Sequence, residues 1–186
     1  ACLAQNLREE REDDSELTEI SSQILEQTKR ISRIVQSLMS FAHAGSHQHN
    51  DEPVCLAEVA QDAIGLLALN RRNFEVQFYN LCDPDHWVDG DPQRLAQVLI
   101  NLLSNARDAS PAGSAVRVKS EASEHTVDLI VEDEGSGIPK NIMDRLFEPF
   151  FTTKDPGEGT GLGLALVYSI VEEHYGQITI DSPADI

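Results

Sequence analysis

Four glycines at alternate positions, 157, 159, 161 and 163, directly precede an apolar segment with helical periodicity. Glycine costs about 1 kcal/mol in a helix interior relative to alanine, so this spacing indicates a loop whose conformation matters. A glycine-rich loop that opens a helix offers backbone N–H donors and the positive end of the helix dipole, which together bind phosphate. The spacing matches neither the G-x-G-x-x-G dinucleotide motif nor the G-x-x-x-x-G-K-[ST] P-loop. On this motif alone, a merely flexible loop remains the alternative.

The net charge of the chain limits the classes of ligand that it can bind. The 186 residues include 14 basic and 32 acidic side chains, a net charge of −18. This excess argues against nucleic-acid binding and against contact with an anionic membrane surface. It does not exclude a small polyanion, because local N–H donors, a lysine and a metal ion suffice to hold one. No segment is apolar enough to span a membrane, and no secretory signal is visible. The three cysteines are interpreted as reduced thiols: Cys2, Cys55 and Cys82.

The chain divides into two regions joined by a linker. Residues 1–45 carry an apolar heptad stripe, which predicts part of a helical hairpin that dimerises through its apolar face. The stripe includes Leu17, Ile20, Ile24, Ile31, Ile34, Val35, Leu38 and Phe41. Residues 46–53 follow Gly45 and consist of polar residues and one proline, Pro53, which predicts a linker. The nearby histidines lack further ligands at zinc spacing and do not favour a metal site: His43, His47 and His49.

Residues 54–186 alternate between helical and extended patterns. Helices are predicted over 56–69, 92–109, 140–146 and 164–174. Strands are predicted over 74–78, 116–120, 127–131 and 177–181. The order lacks a regular βαβ rhythm, which favours an α+β fold with helices on one face of a mixed sheet.

A pair of asparagines lies within the predicted helix 92–109. Asn101 and Asn105 are four residues apart and therefore project from one face. Two neutral carboxamide oxygens suit a magnesium ion whose charge is largely balanced by phosphates. Two solvated amides are the alternative.

An acidic triplet follows the predicted strand 127–131. Its central residue is Asp133, and a carboxylate at a strand end can accept a hydrogen bond from an exocyclic amine such as that of adenine. Gly135 and Gly137 would let the backbone approach a flat ring closely. An acidic turn is the alternative.

Residues 146–154 combine aromatic side chains with a lysine. Phe147, Phe150 and Phe151 are interpreted as core residues. Lys154, just beyond them, is a candidate phosphate contact.

In this order the four motifs closely resemble the N, G1, F and G2 boxes of sensor histidine kinases, in the ATPase superfamily shared with gyrase, Hsp90 and MutL. The resemblance covers residues 54–182, and residues 37–42 resemble the second helix of that family's dimerisation domain. Residues 105–109 and 148–154 are most similar to the nitrogen-regulation branch, with a kinase of carbon and nitrogen catabolism as the nearest type. The resemblance implies an α/β sandwich ATP-binding domain of the gyrase/Hsp90/histidine kinase/MutL type.

The resemblance also implies residue roles. ATP and Mg²⁺ would be the cofactors, with Asn105, assisted by Asn101, holding the metal on the triphosphate. Asp133 would bind adenine, and Asn101 and Lys154 would contribute to catalysis. The base pocket would be shaped by Gly135, Gly137 and Ile138. A lid over the phosphates would be formed with Lys154 by Gly159, Thr160, Gly161, Leu162 and Gly163.

The implied reaction moves the γ-phosphoryl group of ATP to a histidine, and then to an aspartate of a response regulator receiver domain. A homodimer through the N-terminal helices and a cytoplasmic location are implied, compatible with a membrane-anchored full-length parent. No histidine lies in the family's acceptor box, Gly176 is followed by Gln177 instead of a second glycine, and the final strand of the sheet is expected to be missing. The chain is therefore expected to bind ATP without phosphorylating itself.

Two alternatives remain. A gyrase-type ATPase has a glutamate base where this chain has Asn101, so water activation is disfavoured. A non-catalytic dimerisation and docking fragment with an inert pocket is the other.

Overall fold

The computed structural model describes residues 18–25, 27, 28, 31, 32, 35, 52–69, 76–155 and 159–182. The described residues up to position 35 are helical. They include four exposed members of the apolar stripe: Ile20, Ile24, Ile31 and Val35. The three histidines near the linker and Cys2 lie outside the described residues, whereas Cys55 and Cys82 are free thiols. None of the described helices is both long and apolar enough to cross a bilayer.

The first strand and helix follow directly on one another. β1 (Glu52–Cys55) leads into α1 (Leu56–Leu69), and it pairs antiparallel with β3 (Trp87–Gly90). The last two residues of the predicted linker thus lie in a strand. Helix α1 has the predicted bounds.

A three-stranded sheet forms the second layer. Its order is β2 (Gln77–Leu81), β4 (Ala115–Ala122) and β5 (Val127–Glu132), with β2 parallel to β4 and β4 antiparallel to β5. Alternate β4 side chains are buried towards the helices, as expected for a sheet covered on one face. The mixed sheet under helices is the predicted fold class.

Helix α2 (Pro92–Ala109) is the central element, and its bounds are those predicted. The Asp91 side chain accepts hydrogen bonds from the N–H groups of Gln93 and Arg94, and Pro92 occupies the first helical position, where it loses no bond. One face buries Leu99, Leu103 and Ala106 in the core with α1 and the sheet. That burial fixes the rotation of the helix about its axis.

Helix α3 (Gly163–Glu173) packs against another side of α2. Leu166, Val167 and Ile170 bury against Val98. A 3₁₀ helix (Lys140–Arg145) occupies the predicted short helical segment between β5 and α3.

Two strand predictions differ from the structure. The predicted strand 177–181 is wrong, since residues 176–182 have no regular structure. The segment is attached by side chains: Ile178 packs on the α2–α3 cluster, and Ser182 Oγ accepts a hydrogen bond from Ile138 N–H at 2.9 Å. Of the strand predicted at 74–78, residues 77 and 78 lie in β2, whose register is set by pairing with Ala115–Lys119, and Val76 directly precedes it. Positions 74 and 75 lie outside the described residues.

The interpretation of the three phenylalanines as core residues is also wrong. Phe150 is 65% exposed, and the other two are half-buried. Phe147 stacks on Tyr168 at 5.4 Å between ring centroids, and the Arg145 guanidinium lies 4.4 Å from the Phe151 centroid. Phe147 thus contacts a tyrosine and Phe151 a cation instead of the core, so composition alone misjudged their burial.

Candidate functional site

One face of α2 carries three polar residues. Asn101, Asn105 and Asp108 follow i, i+4, i+7 spacing and so lie on one side of the helix. The opposite side is held in the core, which orients these groups away from the sheet. Each of the later motifs meets α2 along this part of the helix.

The side chains of the two asparagines differ in their hydrogen bonds. Asn101 Nδ2 donates to the Gln97 carbonyl oxygen at 2.9 Å. Its Oδ1 faces the first residue of α3, 3.1 Å from where a Cβ at Gly163 would stand. The half-buried side chain of Asn105 makes no hydrogen bond to any described residue. Asn105 therefore keeps its full capacity to bind a ligand.

The three carboxylates after β5 differ in whether they form an ion pair. Glu132 binds Lys119 at 2.6 Å, and Glu134 binds Arg117 at 2.9 Å. The hydrogen bond from Arg117, aided by that from the Ala115 N–H, lowers the pKa of Glu134. Asp133 makes no ion pair within the described part of the chain. It is therefore the carboxylate left for an uncharged or cationic ligand group.

The loop after Asp133 is docked on the end of α2. The Gly135 N–H donates to Asp133 Oδ1 at 2.8 Å, and the Ser136 N–H donates to the Ala109 carbonyl oxygen at 3.3 Å. A Cβ added at Gly135 would lie 2.6 Å from that Oδ1 and 2.9 Å from the same carbonyl. Any side chain at this position would displace the carboxylate, so glycine holds Asp133 in place. Gly137 follows with a φ of 74°.

Lys154 reaches the same helix one turn beyond Asn105. Its Nζ lies 2.5 Å from Asp108 Oδ2, and Arg107 Nη2 lies 2.7 Å from Asp108 Oδ1. Partial burial raises the pKa of Asp108, but the hydrogen bonds and charges of Lys154 and Arg107 outweigh it, so the pKa lies below its ordinary value. Asp108 is thus an anion shared by two cations.

The glycine-rich loop packs on the segment that carries Lys154. A Cβ at Gly159 would stand 2.3 Å from Thr152 Oγ1 and 3.3 Å from Lys154 Cβ. The Phe150 N–H donates to the Gly161 carbonyl oxygen at 2.8 Å. Gly157 lies outside the described residues.

The start of α3 differs from that of α2. Leu162 occupies the N-cap position and supplies no side-chain acceptor, whereas Asp91 caps α2 with two hydrogen bonds. The Leu162 N–H itself donates to Thr160 Oγ1 at 3.4 Å. An end without a side-chain cap leaves backbone N–H groups for water or an anionic ligand.

The predicted nucleotide-site residues within the described region therefore lie around α2 and the start of α3. In the described residues no three histidine, cysteine or carboxylate side chains cluster as a metal site, so any metal would rely on amide and ligand oxygens.

Residues 90–185 match the family described as Histidine kinase-, DNA gyrase B-, and HSP90-like ATPase, which is just over half of the chain. The chain belongs to this ATPase family. The match begins at the end of β3 and includes α2, the acidic triplet and the glycine-rich loop.

Several curated relatives of this chain are named kinases. Sporulation kinase A of Bacillus subtilis is 45% identical over 96 residues, covering 52% of this chain and 16% of its own length. Sensor histidine kinase ZraS of Escherichia coli is 32% identical, covering 97% of this chain and 38% of its own length. Sensor histidine kinase CusS of Escherichia coli O157:H7 is 36% identical, covering 91% and 36%. The chain thus spans well under half of these relatives.

Solved structures of histidine kinases have a fold similar to that of this chain. The mycobacterial sensor histidine kinase MprB has a TM-score of 0.59 at 34% identity, covering 67% of this chain and 80% of its own. The catalytic domain of histidine kinase ThkA has a TM-score of 0.60 at 31% identity, covering 69% and 82%. ThkA in complex with the response regulator protein TrrA matches with a TM-score of 0.69 at 24% identity, covering 94% of this chain and 49% of its own, and this similarity shows the fold alone.

The sequence assigned no role to Asp108 or Arg107. Both lie inside the asparagine motif, and Asp108 follows Asn105 by three residues, which places it on the same face. That spacing can be seen in the sequence. The contact between Asp108 and Lys154 cannot, because the two residues are 46 positions apart.

Proposed function

We propose that this chain is the ATP-binding catalytic part of a sensor histidine kinase, which transfers the γ-phosphoryl group of ATP to a histidine. The proposal rests on the family membership and on the named kinases among the relatives. Assignment to the nitrogen-regulation branch, a cytoplasmic location and dimerisation through the N-terminal helix stay predictions. A response regulator is the proposed downstream partner, as the similar kinase ThkA is known in complex with one.

Within the structure, one observation supports the proposal: three motifs that follow α2 in the sequence all contact it. Gly163 lies beside Asn101, Lys154 binds Asp108, and the loop at Gly135 rests on Ala109. Residues 101–109 span about 12 Å of helix, since each residue advances it by about 1.5 Å. An adenine group, a phosphate group and a metal ion thus have donors and acceptors along one continuous edge.

The residues fit adenine at one end of this edge. Asp133 has no cationic partner in the described region, and one of its oxygens is fixed by the Gly135 N–H. The remaining oxygen can accept a hydrogen bond from the exocyclic amine. Gly137 and Ile138 complete the wall of the proposed base site.

The residues also fit phosphates and a metal along the rest of this edge. Asn105 offers an amide oxygen without a partner among the described groups, with Asn101 beside it, and Mg²⁺ accepts few protein ligands of this type. Bound Mg²⁺ would neutralise part of the triphosphate charge and orient it. Lys154 and the N–H groups at the start of α3 would bind phosphate oxygens. Phosphoryl transfer then depends mainly on positioning and charge, which these groups supply.

A transfer assay tests the proposal. The chain is incubated with γ-labelled ATP, Mg²⁺ and a separate helical hairpin that carries an acceptor histidine box. We expect acid-labile, base-stable label on the hairpin, and its loss in Asp133→Asn. The matched control Glu134→Gln removes the neighbouring carboxylate, which binds Arg117 instead, and should retain transfer.

Other outcomes contradict the proposal. Release of inorganic phosphate without any acceptor, abolished by Asn101→Ala, would indicate a gyrase-type ATPase. A folded chain that dimerises but neither binds ATP nor transfers label would indicate a docking fragment.

A further inference from the structure

We propose that Asp108 is a positioning residue that holds the Lys154 ammonium beside the phosphate end of the nucleotide site. The inference rests on the proposed function, because it concerns the phosphates of a bound nucleotide. It adds a role for a carboxylate that would otherwise only repel them.

The position of Asp108 supports this role. It lies three residues after Asn105, on the polar face of α2 that the motifs share. Its Oδ2 binds Lys154 at 2.5 Å, while its Oδ1 accepts from Arg107 Nε at 3.0 Å and Nη2 at 2.7 Å. Arg107 Nη2 also donates to Ser104 Oγ at 3.1 Å, which ties the guanidinium to the helix. The carboxylate is therefore fixed from one side and holds the lysine on the other.

The charges of this group favour a polyanion. Two cations share one carboxylate, which leaves a net local charge of about +1 in a chain whose net charge is −18. Without Asp108, Lys154 and Arg107 would repel each other, and the flexible lysine side chain would spread over many rotamers. The carboxylate thus restricts Lys154 to one place before any phosphate arrives.

The lysine is also coupled to the glycine-rich loop. Gly159 stands against Thr152 Oγ1 and Lys154 Cβ, and the Lys154 N–H donates to Thr152 Oγ1 at 3.2 Å. Holding the Lys154 side chain on α2 therefore also places the backbone on which this loop rests.

A ligand series tests the inference. Dissociation constants for adenosine, ADP and the non-hydrolysable analogue AMP-PNP, the latter two with Mg²⁺, are measured by calorimetry for the parent and for Asp108→Asn. We expect Asp108→Asn to weaken ADP and AMP-PNP binding by about fivefold, the scale of a partly exposed ion pair, with adenosine unchanged. Asp108→Glu should restore most of the phosphate-dependent affinity. In a Lys154→Gln background, Asp108→Asn should have no further effect.

A matched ion pair provides the control. Lys119 and Glu132 form a lysine–carboxylate contact on the outer sheet face with side-chain exposures of 33% and 44%, against 34% for both partners in the Lys154–Asp108 pair. Glu132→Gln should leave all three affinities unchanged.

The inference is overturned if Asp108→Asn leaves the phosphate-dependent affinity unchanged or increases it, or if adenosine binding falls to the same extent. The same holds if the effect persists in the Lys154→Gln background. In each case the parent still binds nucleotide. A folded parent that binds none of the three ligands instead marks failure of the proposed function, and the inference falls with it.

Discussion

At the residue scale, the glycine-rich loop depends on backbone conformation at one position. Gly161 has a φ of 65°, and a Cβ there would lie 2.3 Å from the Phe150 carbonyl carbon. Phe150 itself has a φ of 69°, which is costly for a residue with a side chain. Phe150 therefore holds a costly backbone conformation beside the candidate site, and its side chain is 65% exposed.

Gly161→Ala should therefore lower both stability and ADP affinity. The substitution adds a steric clash to the conformational cost of a positive φ, so we expect a loss of unfolding free energy above about 1 kcal/mol. Gly113→Ala is the matched control, because Gly113 has a φ of 84° but, apart from its chain neighbours, no atom of the described residues lies within 4 Å of the added Cβ. Urea unfolding and ADP titration of both variants check this. Equal effects in the two variants would contradict a role for the Phe150 contact.

At the element scale, α2 and α3 share an apolar contact but begin differently. Asp91 satisfies the first N–H groups of α2, and its own N–H donates to His174 Nε2 at 3.1 Å, at the end of α3. At the start of α3, the N-cap residue Leu162 makes no side-chain cap to any described N–H group. We interpret the capped end as structural and the uncapped end as part of the ligand site.

Asp91→Ala should lower the free energy of unfolding by about 1 kcal/mol, because two N–H groups lose their acceptor. ADP affinity of the folded protein should not change, since the cap lies at the far end of α2 from Asp108. Urea unfolding and calorimetry measure the two quantities separately. A large loss of ADP affinity at unchanged stability would show that this interpretation of the two ends is wrong.

At the scale of the whole molecule, local sequence patterns predicted the helices well. They predicted poorly which strands pair and which charged side chains bind each other. The bounds of α1 and α2 follow from periodicity, Asp91 and Pro92, which are local signals. The segment 177–181 has a strand-like pattern, but a strand forms only when its backbone pairs with another strand. Here side-chain contacts hold the segment on the domain instead. The acidic triplet shows the same limit: the sequence names three carboxylates, and only the sheet register shows which two bind Lys119 and Arg117.

The most direct test of the proposed nucleotide site is a calorimetric titration with ADP, with and without Mg²⁺, of the parent, Asp133→Asn and Glu134→Gln. We expect the parent and Glu134→Gln to bind alike. Asp133→Asn should bind at least about tenfold more weakly, the scale of one lost charge-assisted hydrogen bond. A folded parent that fails to bind ADP, or an Asp133→Asn variant that binds as tightly as the parent, would contradict adenine recognition at Asp133.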